Sequence, residues 1–130
     1  MDDKALIALA KQSRAHAYTP YSGFAVGAAA LSADGRVFLG CNIENASYGL
    51  TNCAERTAIF SAIAAGAKEL AALAVVADGE QPCSPCGACR QVIAEFAIKR
   101  IILANLAGKS RIVTAEELLP YAFSLDNNKT

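Results

Sequence analysis

Leu6, Leu9, Ala10 and Ala17 recur near helical spacing, which predicts a first helix from about Asp3 to Ala17, stopped by Pro20. Pro20-Tyr21-Ser22-Gly23 reads as a loop. From Phe24 to Leu31 the chain is almost continuously apolar, the pattern of a buried strand, and Asp34-Gly35 marks a tight hairpin into a second strand, Arg36 to Cys41. Asn42 to Asn52 is a loop dense in side-chain donors and acceptors. A second helix is expected from about Cys53 to Ala65, closed by Gly66. Leu70 to Ala77 suits a central strand. Gln81 to Pro85 is a turn, and Gly87 to Phe96 reads as a third helix. Ile101 to Ala104 and Arg111 to Val113 are further strands. Thr114-Ala-Glu-Glu117 has capping-box spacing and opens a short helix ended by Pro120, and the polar tail Asp126 to Thr130 is expected to fray.

Helices that alternate with strands after an initial hairpin predict an α/β fold, a mixed sheet flanked by helices. Sites in such sheets form beyond strand ends, where loops run into helix N-termini. With 130 residues and no linker, repeat or low-complexity tract, the chain reads as one domain, 1–130. The 12 basic and 12 acidic side chains cancel, which removes the basic face that a polynucleotide partner calls for. No run approaches the length of a membrane span, and the acidic N-terminus does not resemble a signal peptide, so a cytoplasmic location is expected. There are five cysteines, three of them within Cys83–Cys89. In a reducing compartment such crowding points to metal or redox chemistry.

Two motifs fall at the predicted loop-to-helix junctions: Cys53-Ala54-Glu55 and Pro85-Cys86-Gly87-Ala88-Cys89. Three thiolates fill three corners of a tetrahedral zinc site and leave the fourth for water, whose pKa the metal brings towards neutrality. Hydrolysis also needs a base near the metal but not bound to it, and Glu55 is the candidate. Side chains two apart diverge in mid-helix, so Cys53 and Glu55 converge only if Cys53 sits at the helix entrance. Asn52 suits an N-cap there and Pro85 the first turn of the other helix. Helix N-termini favour thiolates. Three thiolates on one zinc leave a net negative charge, which Arg56, three residues after Cys53, is placed to offset. Arg90, directly after Cys89, is the competitor.

Other readings of the same residues stand beside these. Asn52-x-x-Glu55 resembles a capping box, and Cys86-x-x-Cys89 a redox pair or half of a structural zinc site. Cys83 offers a second CxxC frame with Cys86, but only Cys86/Cys89 follows Pro85 at a helix entrance. Cys41 reads as a small core hydrophobe and His16 as a surface or packing residue. Phe24, taken alone, reads as core. The two motifs together match the zinc deaminase signature, with cysteine in the place of histidine.

Asn42-Ile-Glu-Asn-Ala-Ser-Tyr48, Cys53-Ala-Glu-Arg-Thr57 and Ser84-Pro-Cys-Gly-Ala-Cys-Arg-Gln91 closely resemble the small, homotetrameric cytidine deaminases. Pro20-Tyr-Ser and Glu117-Leu-Leu-Pro120, with Phe123, extend the resemblance from about Ala17 to Phe123. It implies a three-layer α/β/α sandwich around a five-stranded mixed sheet. It also implies one zinc ion per subunit on Cys53, Cys86 and Cys89, with Glu55 as proton shuttle and Arg56 compensating charge. Phe24 would stack on the pyrimidine, Asn42 and Glu44 would hold ribose hydroxyls, and the Ala54 amide and Ser84 carbonyl would contact the base edge. Asn45, Ala46, Tyr48 and Phe123 would reach a neighbouring subunit's site. The implied partners are a free nucleoside, cytidine or deoxycytidine, and further copies of the chain. A related deaminase of polynucleotides or of a cytosine-containing antibiotic, and a non-enzymatic zinc or redox module, are the competing functions. Cys83 departs from the family's usual residue.

Overall fold

The computed structural model describes residues 1–126, so most of the tail expected to fray lies outside the described residues. Helix α1 (Asp3–Ser13) starts where the Asp2 carboxylate accepts the Ala5 amide at 2.8 Å. It ends four residues earlier than its periodicity suggests and passes into a 3-10 turn, Arg14–His16. The buried Ser13 hydroxyl donates to the Gly40 carbonyl at 2.6 Å, and beyond the turn Tyr18 bridges to Ile43. The chain leaves the helix to make these tertiary bonds.

Strands β1 (Val26–Ser32), β2 (Val37–Cys41), β3 (Leu70–Ala77), β4 (Arg100–Asn105) and β5 (Ser110–Val113) form one sheet in the order β2-β1-β3-β4-β5. β3 and β4 run parallel and the other pairs antiparallel, so the sheet is mixed. β1 starts two residues later than its apolar run. The Asn42 side chain occupies that end: its Oδ1 accepts the Val26 amide at 2.9 Å and its Nδ2 donates to the Phe24 carbonyl at 2.8 Å. Phe24 therefore stands before the ladder and is 47% exposed, not in the core as its apolar run implies.

The two faces of the sheet carry different cores. Ala29, Ala72, Ala74, Val76, Ile102 and Ala104 meet Leu6 and Ala10 of α1. Ala28, Ala30, Leu73, Val75, Ile101 and Leu103 meet helices α2 (Ala54–Ala64) and α3 (Gly87–Glu95) on the other side. Alternation along β3 (Ala72, Ala74 and Val76 one way, Leu73 and Val75 the other) sends side chains into both layers. The result is an α/β/α sandwich. Small residues let the helices approach closely. A Cβ on Gly27 would lie 2.0 Å from the Ala10 carbonyl oxygen, and one on Gly40 would lie 2.4 Å from the Ala58 nitrogen. A short helix α4 (Ala115–Leu118) follows β5 with the expected Thr114/Glu117 capping box.

Candidate active site

Helices α2 and α3 enter in the same way. Each has a cysteine as N-cap in extended backbone, Cys53 before α2 and Cys86 before α3, and neither thiol caps the helix. Asn52 therefore stands one step, and Pro85 two steps, further out than their sequence signals suggest. The Asn52 side chain donates to the Thr57 hydroxyl at 2.9 Å, and that hydroxyl donates to the Cys53 carbonyl at 3.1 Å, which braces the entrance instead of capping it. Pro85 precedes the N-cap and is buried. The Asn52/Glu55 capping box does not form.

Extended backbone at Cys53 removes the mid-helix divergence, and Cys89, in the first turn of α3, completes a trio. The sulfurs of Cys53, Cys86 and Cys89 all lie within 4.8 Å of one another, with Cys53–Cys86 at 3.7 Å and Cys86–Cys89 at 3.5 Å. Zinc–sulfur bonds of about 2.3 Å at tetrahedral angles put sulfurs about 3.8 Å apart, so the trio fits zinc in spacing as well as donor type. A structural zinc site would need a fourth protein ligand. Cys83 is outside the trio; its thiol lies 3.9 Å from the Ala104 carbonyl, and burial pushes its pKa up to about 11.

The Arg56 Nη2 donates to the Cys53 sulfur at 3.3 Å. Arg90 is committed elsewhere, its guanidinium donating to the carbonyls of Pro85 at 2.9 Å and Leu118 at 2.7 Å. That separates the two candidate arginines: the one on sulfur is Arg56. Hydrogen bonding from Cys89, with the Arg56 guanidinium after it, lowers the Cys53 thiol to about 5, and the Cys89 thiol is raised in turn. Glu55 is buried, 5% exposed, and burial, reinforced by the Cys53 charge, lifts its carboxyl to about 7. Such a carboxyl gains or loses a proton near neutral pH.

The remaining residues implied by resemblance are spread over three segments. Glu44 is buried: its Oε1 accepts the Tyr21 and Ser22 amides at 3.0 and 3.2 Å, and its Oε2 the Ser22 hydroxyl at 2.5 Å. Asn42 uses one donor and one acceptor on the end of β1 and keeps one of each. Ala54, fully buried, opens α2, and Ser84 is exposed just before Pro85. Asn45, Ala46 and Tyr48 lie on an exposed loop that enters the 3-10 turn Tyr48–Leu50. Phe123 is 71% exposed, its carbonyl accepting the Gln91 side chain at 3.0 Å. Thr57, which braces the cluster's entrance, ends the Cys53-Ala-Glu-Arg-Thr57 motif, but the sequence assigns it no role.

Known proteins resemble this chain in sequence and in fold. The profile of the cytidine and deoxycytidylate deaminase zinc-binding region matches residues 1–105. A cytidine deaminase of Sporosarcina psychrophila is 55% identical over 98% of this chain and 95% of its own length. A cytidine deaminase of Mycobacterium tuberculosis strain H37Rv is 47% identical over 91% of this chain and 86% of its own length. A crystal structure of cytidine deaminase from Burkholderia pseudomallei superposes with a TM-score of 0.92 at 54% identity, covering 95% of this chain and all of that one. With matching extent of sequence, matching fold and a zinc-compatible thiol trio, the chain belongs to the cytidine deaminase family.

Proposed function

We propose that this protein hydrolyses the 4-amino group of cytidine, and of deoxycytidine, to give uridine or deoxyuridine and ammonia. One observation carries the reading: three sulfurs at tetrahedral zinc spacing, with the buried Glu55 carboxyl two residues from the first of them. Cys53, Cys86 and Cys89 would hold one zinc ion per subunit, which would supply a water of lowered pKa. Glu55 takes one proton from the attacking water and gives it to the pyrimidine ring nitrogen, then passes the remaining hydroxyl proton to the departing amine as the carbonyl forms and the C–N bond breaks. Arg56 draws charge from the sulfurs.

The substrate contacts extend this reading. Phe24 stacks on the pyrimidine, supported by a half-exposed ring at the edge of β1. Asn42 and Glu44 hold the sugar, supported by their spare hydrogen-bonding capacity. The Ala54 amide and the Ser84 carbonyl meet the base edge. Asn45, Ala46, Tyr48 and Phe123 complete a neighbouring subunit's site in a homotetramer, which fits Tyr48, Leu50, Tyr121 and Phe123 standing exposed on one chain. The whole chain acts as one deaminase domain. Five free cysteines suit the reducing cytoplasm, and among the described residues no helix is long and apolar enough to cross a membrane. A neutral balance of charge favours a free nucleoside over a polynucleotide.

The test is loss of cytidine absorbance on adding purified protein. Turnover should disappear with a zinc chelator and return with zinc. Protein holding one zinc per chain that leaves cytidine unchanged would overturn the proposal.

A further inference from the structure

Ser22 lies between two segments proposed to meet the substrate, and its hydroxyl touches both. Its Oγ accepts the Phe24 amide at 3.0 Å and lies 2.5 Å from Oε2 of Glu44. A hydroxyl has one proton, and the Phe24 N–H already points at the oxygen, so that proton goes to the carboxylate. The turn is closed by the Gly23 amide donating to the Thr19 carbonyl at 3.1 Å, with Gly23 at φ +68. Behind Glu44, its own amide donates to the Tyr18 carbonyl at 2.9 Å. The segment from Tyr18 to Phe24 is thus wrapped around one buried carboxylate.

We propose that Ser22 is a positioning residue for nucleoside binding, orienting the Glu44 carboxylate towards the sugar and coupling it to the backbone of Phe24. The inference rests on the roles proposed above for Glu44 and Phe24. A carboxylate offers about four lone-pair sites. The Tyr21 amide, the Ser22 amide and the Ser22 hydroxyl take three, leaving one acceptor site in a fixed direction. Without the hydroxyl, Oε2 is free to rotate or take up water, and the direction is lost while the two amides still hold Oε1. The same hydroxyl is the leading cause that holds Glu44 below the usual carboxylate range. Ser22 is exposed, so its loss leaves the core intact.

The experiment compares kcat/KM of the zinc-loaded protein on cytidine and on 2′,3′-dideoxycytidine, which has no hydroxyl on the ring carbons for Glu44 to bind. In S22A the ratio of the two should fall about tenfold, chiefly through KM for cytidine, as expected for a hydrogen bond to a charged group. S22T keeps the hydroxyl and should keep the ratio within about twofold. A ratio unchanged in S22A, or lost as fully in S22T, overturns the proposal. E44Q separates this from the underlying reading. A ratio that collapses in E44Q but not in S22A removes the role of Ser22 alone. A ratio unchanged in both removes the sugar-binding role of Glu44 and that of Ser22 with it.

Discussion

Glu55 owes its chemistry to its surroundings: an ordinary carboxyl becomes a near-neutral one because the chain buries it beside a thiolate. Replacing it by glutamine keeps the shape and removes the titrating group. Glu55→Gln should retain about one zinc per chain by metal analysis and lose about a thousandfold in turnover. Wild-type turnover in that variant would remove Glu55 from the shuttle role. The thiol trio gives a pH-dependent signal in chelator-treated protein. Because the Cys53 thiol sits near 5, well below its ordinary 9.0, its alkylation should rise with pH through the acidic range and be complete by neutrality. Arg56→Ala should move that midpoint upward by about one unit or more, followed by mass spectrometry of the labelled peptide. The same variant should bind zinc more weakly or turn over more slowly. Full zinc affinity with full turnover would show that the charge on the sulfurs needs no offset.

At the scale of elements, the site depends on how closely α2 lies on the sheet. Gly40 of β2 faces the first turns of α2, and a methyl group there would stand 2.5 Å from the Ala54 carbonyl and 2.4 Å from the Ala58 nitrogen. These are backbone atoms with no side-chain freedom to yield, so the helix itself has to move. Because Cys53 caps that helix and Glu55 lies in its first turn, displacement should be felt in the cluster. Gly40→Ala is expected to cost about 3 kcal/mol in urea unfolding and to lower the zinc content of the purified protein. A variant of wild-type stability and zinc content would mean that β2 accommodates the methyl group without shifting α2. The paired cysteine N-caps belong to this scale too: neither helix uses a side-chain cap, which leaves both thiols facing the shared space between them.

For the molecule as a whole, the apolar side chains left outside the two cores matter most. Tyr18, Tyr21, Phe24, Ile43, Tyr48, Leu50, Tyr121, Phe123 and Leu125 are each exposed, a large apolar surface for a chain of this size. A groove of about 590 Å³ between the end of α3, α4 and the C-terminal segment is lined in part by Tyr121 and Phe123 and contains none of the cysteines. It is therefore no substitute for the thiol site. Sedimentation equilibrium should give four times the 13.5 kDa chain mass. Phe123→Ala should raise KM for cytidine more than it lowers kcat, because the exposed ring is proposed to close a neighbour's site. A monomer with full activity would contradict the shared site.

Most of the fold was legible in the sequence because it is written in local patterns. Apolar runs marked β1, β3 and β4, the Asp34-Gly35 turn marked β2, β5 reads as a short strand, and helical spacing with Gly66 and Pro120 bounded the helices to within a few residues. The thiol spacing, with an acid two residues after the first cysteine, pointed to zinc before any geometry was known. Local pattern fails where a tertiary bond outcompetes a local one. Asn52 has the chemistry of an N-cap but is drawn to Thr57, and Phe24 has the hydrophobicity of a core residue but is held outside the ladder by Asn42. The choice between Arg56 and Arg90 also depended on the fold, since both follow a cysteine closely in sequence and the carbonyls of Pro85 and Leu118 draw Arg90 away. The link from Ser22 to Glu44 spans 22 residues of sequence and has no periodic signature. By itself, then, the sequence determined the elements and the donor set of the metal site, because propensity and spacing are local. Only the tertiary structure decided which arginine reaches sulfur, how far Glu55 is buried and what orients Glu44, because each depends on groups brought together by packing.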